Sequence, residues 1–245
     1  MCPWHLDSYL AELSLGPLRA AIDFRQPRPG LSRVRLWDSD WPGTELLAVV
    51  GPGPADPCGP PTECYVRGAD LITCFGPPTA PRVRIDVTWR ALTPELASGV
   101  LAGVELIVSV RTEVLHARPQ VTIRSVFPAA AVKCLPSSDA TDLLPQAVAT
   151  GGIAIMEGPA SGGCLLFRLP DALASFVEMV HPTDFRHDEL RAPSATSGAF
   201  QLEHHLFPQS LEKGVILRSR LRGILVAREH DRRVAVDCFR AFAQS

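Results

Sequence analysis

The stretch RVRIDVTWR, residues 82–90, decides the fold class of this chain. Its apolar side chains fall on every second residue, with charged or polar side chains between them. Because the side chains of a β-strand point alternately to the two faces of its sheet, this period of two predicts a strand with one buried face. The residues expected in the core are Val83, Ile85, Val87 and Trp89.

The same alternation continues towards the C-terminus. It repeats over 104–115 and 121–127, which adds Leu106, Val108, Val110 and Ile123 to the expected core. Further strand-like runs cover 153–156, 164–169, 176–181, 199–207 and 215–228. No rhythm of strand, long helix and strand appears, which argues against a parallel α/β sheet. We therefore predict one all-β, mainly antiparallel domain over residues 1–245, a β-sandwich of about ten to fourteen strands with short peripheral helices.

Three segments carry helical signals. Residues 8–15 predict one or two helical turns, ended by Gly16-Pro17. Residues 93–102 begin with Thr-Pro-Glu, a typical first helical turn. The C-terminal run also fits a strand, but a helix is the favoured interpretation because its apolar residues share one helical face. These residues are Ala235, Cys238, Phe239 and Phe242, with Asp231 as the candidate cap.

The composition narrows the class of partner. A net charge of −2, from 24 basic and 26 acidic residues, lacks the basic excess typical of a nucleic-acid-binding domain. No apolar run approaches the roughly 18 residues of a membrane helix. The N-terminal stretch also lacks the basic and apolar regions of a signal peptide. We expect a cytoplasmic protein with neither nucleic-acid nor membrane partners.

Seven cysteines are scattered along the chain, and no two of them have C-x-x-C spacing. An odd number without a paired pattern favours neither a disulfide framework nor a zinc knuckle. We expect free thiols, no cofactor and no metal.

The segments 199–207 and 215–228 hold the best candidate binding site. If these two strands pair as neighbours, one sheet face gathers a carboxylate, an imidazole and three guanidinium groups. Guanidinium groups suit oxygen-rich ligands, so the face predicts a carbohydrate-type or anionic small ligand. The alternative is an ordinary solvated face with cross-strand ion pairs. The side chains that would form the site are Gln201, Glu203, His205, Arg218, Arg220 and Arg222.

Two groups of histidines raise the question of a metal. His204 and His205 are adjacent, but adjacent strand residues point to opposite faces, so at most one could join a given site. The segment 181–189 holds two histidines and three acids, which could wrap a divalent cation. A polar loop in which Asp184 bonds to its own backbone explains that segment equally well. We predict no metal site.

The sequence GAFQLEHHLFP, residues 198–208, resembles the late strand of galactose mutarotase-like proteins, and His181-Pro182 resembles their His-Pro strand end. In that family a strand glutamate acts as the catalytic base on a sugar hydroxyl. The resemblance implies the supersandwich fold, with Glu203 as base and His181 as acid. The run LEKGVILRSRLRG, residues 211–223, resembles uncharacterised bacterial proteins and implies no activity.

Three functions stay open on the sequence alone. The favoured one is a noncatalytic domain that binds a carbohydrate-type or anionic small ligand on a sheet face. The second is a sugar-acting, mutarotase-like enzyme, and the third is a structural or protein-interaction subunit. A concave polar pocket would favour a ligand, whereas a flat apolar patch would favour a protein partner.

Overall fold

The computed structural model describes residues 2–51, 60–76, 83–92, 99–129, 131–135, 152–157, 163–170, 173–194 and 198–245. These residues form twenty strands and one helix. All pairings between the strands are antiparallel. The all-β prediction is confirmed.

The strands divide into three main sheets. The N-terminal sheet runs β1-β2-β3-β4-β5, with bounds Trp4–Asp7, Leu10–Leu15, Leu18–Asp23, Ser32–Leu36 and Ser39–Asp40. The small sheet runs β14-β17-β18-β12-β6, with bounds Ile153–Glu157, His187–Arg191, Phe200–Leu206, Val121–Phe127 and Glu45–Val50. The large sheet runs β13-β15-β16-β20-β10-β9-β8-β7, with bounds Ala131–Cys134, Cys164–Arg168, Ala174–Val180, Ile216–Ala227, Val100–Thr112, Val83–Leu92, Asp70–Phe75 and Glu63–Arg67. A two-stranded ribbon pairs β11 (His116–Ala117) with β19 (Leu211–Glu212).

The large and small sheets pack face to face, and aromatic rings fill the space between them. Phe127 of the small sheet lies edge-on to Phe167 and Phe176 of the large sheet, at centroid distances of 4.5 and 5.2 Å. Such edge-to-face pairs add to the stabilisation that comes from buried apolar area. The expected core is confirmed, because each of its eight residues is buried: Val83, Ile85, Val87, Trp89, Leu106, Val108, Val110 and Ile123.

Helix α1, Asp231–Ala243, covers part of the outer face of the large sheet. The C-terminal helix prediction is confirmed, although Asp231 is the first helical residue and His230 occupies the cap position. Asp231 anchors the helix start, since its carboxylate accepts hydrogen bonds from Arg168 at 3.1 Å and from Ser175 at 2.7 Å. The apolar face of the helix consists of Val234, Ala235, Cys238, Phe239 and Phe242.

The helix expected over 8–15 is wrong. Leu10–Leu15 is strand β2, in which Ala11, Leu13 and Leu15 are buried while Glu12 and Ser14 are exposed. The period of two therefore outweighs the helical spacing of the leucines. The other expected helix, over 93–102, is wrong at its end, because residues 100–102 begin strand β10. Its residues 93–98 lie outside the described residues. The strand count exceeds the prediction because the sequence analysis left residues 4–23, 63–75, 131–134 and 187–191 without strands and did not foresee the two-residue strands β5, β11 and β19.

The cysteine prediction is confirmed for the six described cysteines, which are free, while Cys58 lies outside the described residues. Within the described ranges, no helix has the length and apolar character needed to cross a membrane.

Candidate functional site

The outer face of the small sheet carries the polar side chains of β18. Leu202 and His204 point inward and are buried, whereas Gln201, Glu203 and His205 point outward and are half-buried. The expected alternation is confirmed at these five residues. The outward side chains of β12, β17 and β18, together with Glu157 of β14, are called the polar face below.

The strand register places these side chains in two rows. His205 lies between Thr122 of β12 and His187 of β17, and His187 in turn pairs with Glu157. In the neighbouring row, Glu203 lies between Arg124 of β12 and Glu189 of β17. Directly opposed residues of an antiparallel pair have Cβ atoms only about 4.5–5.5 Å apart, so neighbouring side chains within each row are in contact.

Hydrogen bonds fix the direction of several of these side chains. Gln201 Nε2 donates to Glu203 Oε1 at 2.8 Å. His187 Nδ1 lies 3.0 Å from Glu157 Oε1. Arg191 donates to Glu189 Oε2 at 3.0 Å. The polar face therefore presents oriented carboxylates and imidazoles to the outside.

A cavity of about 660 Å³ opens at one end of the polar face. Its volume lies within the range of roughly 300–1,000 Å³ that is usual for small-molecule sites. Its lining combines backbone, apolar side chains and polar groups, among them Thr122, Glu157, Arg186, His187 and His205. The face is thus concave at that end, with a mainly apolar lining that carries a few polar groups, and this combination favours a small ligand over a flat protein contact.

The predicted pairing of 199–207 with 215–228 is wrong. Strand β18 pairs with β12 and β17 in the small sheet, whereas β20 pairs with β10 and β16 in the large sheet. The chain passes from one sheet to the other between these strands, so succession in sequence does not make them neighbours.

The three arginines of β20 therefore lie apart from Glu203, on the outer face of the large sheet. Arg222 pairs with Glu105 at 2.5 Å and stacks over the Phe242 ring at 4.1 Å. Arg220 donates to the Ser245 carbonyl at 3.0 Å, and Arg218 is exposed. Arg220 and Arg222 contact the C-terminal helix region. A single small ligand therefore cannot contact both the arginines of β20 and the outward side chains of β18.

His181 is also separated from Glu203. It directly follows β16 of the large sheet and is buried, with its ring edge-on to Phe242 at a centroid distance of 5.2 Å. Burial, reinforced by the positive charge of Arg220, lowers the pKa of His181. The expected pairing of Glu203 as base with His181 as acid is therefore corrected, because the sandwich interior lies between them.

His204 and His205 point to opposite faces, as their adjacency predicts. His204 is buried between two carboxylates, with Nδ1 at 2.7 Å from Asp188 Oδ1 and Nε2 at 2.9 Å from Glu178 Oε1. Burial alone would lower the pKa of His204, but the charges and hydrogen bonds of Asp188 and Glu178 outweigh it and raise the pKa to about 10. This triad is an inward-facing cluster and does not form part of the polar face.

Several residues of the polar face were not singled out as site residues from the sequence. His187 and Glu189 belonged to the segment 181–189, where a period of two over 187–191 would have placed both on one face. Arg124 and Thr122 lie on the polar side of the predicted strand 121–127. The alternation within each strand shows which side chains share a face, but it does not show which strands are neighbours in the sheet.

The arrangement of sheets is that of the aldose 1-epimerase and galactose mutarotase-like proteins, as the resemblance around Glu203 implied. Neither a protein-family model nor a curated protein matches the chain. The likeness to solved structures extends over most of the chain, at low sequence identity.

Three solved structures illustrate this likeness. A candidate aldose 1-epimerase from Escherichia coli K12 has a TM-score of 0.63 at 10% identity, covering 88% of this chain and 98% of its own. The Slr1438 protein from Synechocystis sp. PCC 6803 has a TM-score of 0.64 at 8% identity, covering 91% and 99%. The GalM/aldose epimerase homologue from C. elegans has a TM-score of 0.58 at 9% identity, covering 88% and 98%. At these identities the likeness defines the fold alone.

Proposed function

We propose that this protein is a sugar-acting enzyme of the aldose 1-epimerase type, which interconverts the anomers of a free aldose at the polar face. The observation that carries the proposal is the position of Glu203 and His205 side by side on the outer face of β18. Their Cα atoms are two strand residues apart, roughly 6.6 Å. A base and an acid at that spacing can reach the anomeric hydroxyl and the ring oxygen of one pyranose.

The reaction needs only these two proton transfers. Glu203 accepts the proton of the anomeric hydroxyl while a protonated His205 donates a proton to the ring oxygen, and the bond between C1 and the ring oxygen breaks. Rotation about the C1–C2 bond in the open-chain aldehyde presents the other face of the carbonyl. The reverse transfers then close the ring as the opposite anomer, and both side chains return to their starting states.

Neighbouring groups support this assignment. Gln201 orients the Glu203 carboxylate, and Arg124 lies directly opposite Glu203 in the register. The cavity beside His205 has a volume in the range that small ligands occupy. The fold-level likeness to a candidate aldose 1-epimerase and to a GalM/aldose epimerase homologue points to the same substrate class.

The proposal is tested by following the optical rotation of freshly dissolved α-D-glucose and α-D-galactose with and without the protein. We expect equilibration faster than the spontaneous rate, and Glu203→Gln should reduce the acceleration about 10²–10⁴-fold, the usual range for general acid–base catalysis. Glu12→Gln, an exposed glutamate of the N-terminal sheet, is the matched control and should keep the full rate.

Two outcomes would count against the enzyme. No acceleration with any aldose, combined with Glu203-dependent sugar binding, would make the protein a noncatalytic carbohydrate-binding domain. If the protein neither accelerates anomerisation nor binds any sugar, sugars are excluded as its substrate and as its ligand.

A further inference from the structure

Three potential metal-ligating side chains converge at the cavity end of the polar face. One ligand atom each from His187, Glu189 and His205 lies within 4.8 Å of the other two. Glu189 Oε1 is 3.5 Å from His187 Nε2 and 3.7 Å from His205 Nε2. These three residues are called the His-Glu-His cluster.

The separations in the cluster are those of ligands around one small ion. Two ligand atoms at about 2.0–2.1 Å from a tetrahedral zinc ion lie about 3.3 Å from each other. The two nitrogen–oxygen distances, 3.5 and 3.7 Å, are a few tenths of an ångström above that value. Both exceed the usual length of an N–H···O hydrogen bond, about 2.9–3.0 Å. The geometry therefore suits a bridging ion better than direct bonding.

The Nδ1 atom of each histidine ring contacts a side chain outside the cluster, and this contact orients the ring. His187 Nδ1 lies 3.0 Å from Glu157 Oε1, and His205 Nδ1 lies 3.4 Å from Thr122 Oγ1. Metal-bound histidines almost always use their second ring nitrogen in this way, because the outer contact fixes the ring orientation. The Nε2 atoms of both rings are thereby directed towards the cluster.

Glu189, the third ligand, is also held by a contact outside the cluster, and His205 Nε2 has no hydrogen-bond partner. Arg191 donates to Glu189 Oε2 at 3.0 Å, which leaves Oε1 directed at the two imidazoles. His205 Nε2 is buried and makes no hydrogen bond to any described residue. A buried ring nitrogen without a partner costs free energy, and a metal ion at the centre of the cluster would supply that partner.

We propose that His187, Glu189 and His205 bind one divalent transition-metal ion of the zinc type. Two imidazoles and a carboxylate are suitable ligands for such an ion, and three protein ligands leave the fourth position of a tetrahedral ion to another ligand. The site goes beyond the proposed sugar chemistry and does not depend on it, although His205 belongs to both. It replaces the expectation from sequence that no metal is bound.

The test is a titration of the chelator-treated protein with Zn²⁺, by calorimetry and by competition with a chromophoric chelator. We expect one ion per chain. Loss of an outer contact usually weakens metal binding about 10–100-fold. His187→Ala and Glu189→Ala each remove a ligand and should weaken Zn²⁺ binding by more than that. Thr122→Val, which removes one outer contact, should fall within that range. His116→Ala, an exposed histidine on β11, is the matched control and should bind Zn²⁺ like the wild type.

Two further measurements keep the result unambiguous. Each variant must retain the wild-type circular dichroism spectrum, and Zn²⁺ should raise the thermal midpoint of the wild type but not of the ligand variants. Glu203→Gln should still bind one Zn²⁺ whatever its sugar activity, which separates this proposal from the proposed function. Zinc binding that is absent, or that survives His187→Ala and Glu189→Ala, would overturn the site.

Discussion

His204 Nε2 of the small sheet lies 2.9 Å from Glu178 Oε1 of the large sheet, so a buried ion pair crosses the interior of the sandwich. The side chains of both residues are at most 2% exposed. Asp188 of the neighbouring strand binds the other ring nitrogen at 2.7 Å. The contact therefore connects the two sheets at the strand that carries the proposed base.

Replacing His204 should destabilise the protein strongly. His204→Ala leaves two buried carboxylates without their cation, and breaking a buried pair in this way costs about 3–5 kcal/mol. His205→Ala is the matched control, because the adjacent imidazole points outward and should cost less than about 1 kcal/mol. Urea unfolding of both variants measures the difference. Equal losses of stability would contradict the inward position of His204.

The triad of His204, Asp188 and Glu178 should make the protein less stable as the pH rises. The pKa of His204 is raised from its ordinary value of 6.5 to about 10, so the folded state holds the proton more tightly than the unfolded state. The stabilisation is fully present below about pH 6.5 and is lost as the pH rises to about 10. The free energy of unfolding should therefore fall more steeply over this range in the wild type than in His204→Gln. Parallel pH profiles would show that His204 is not held protonated.

Trp89 should be a major contributor to the core. It is fully buried, its ring lies edge-on to Phe24, which directly follows β3, at 6.1 Å, and its Nε1 donates to the Leu47 carbonyl at 3.5 Å. Trp89→Ala should lower the free energy of unfolding by about 3–5 kcal/mol, as measured in urea. Trp37→Ala is the control, because Trp37 is 48% exposed and should change stability little. A small effect at Trp89 would argue against the packing described.

Zinc and sugar turnover should exclude each other if both proposals hold. A metal ion bound at Nε2 requires the neutral His205 imidazole, so this ring has no proton to give to the ring oxygen. The anomerisation rate should therefore fall as the Zn²⁺ site fills and recover when a chelator is added. In Glu189→Ala, inhibition should need a much higher Zn²⁺ concentration. Full turnover in the zinc-loaded protein would show that His205 is not the acid.

The sequence predicts the faces of individual strands far better than the order of the strands. Alternation is a local property, so it placed Trp89 in the core and Glu203 on an outer face. The neighbours of β18 are set by packing between distant segments, such as Ile123 opposite His204, and no local pattern encodes that register. The arginines of β20 were therefore assigned to the wrong face, while Arg124 and Glu189 were overlooked.

The alternation along β17 and β18 also has a consequence for how the gene can change. Asp188 lies between His187 and Glu189, and His204 lies between Glu203 and His205, so structural and candidate functional side chains are interleaved one by one. Insertion of one residue at the start of either strand would exchange the two sets, exposing the buried ion pair and burying the outer groups. Insertions within these strands should therefore be tolerated only in pairs. We therefore expect changes in length to fall in the connections between strands and new specificities to arise by substitution at outward positions.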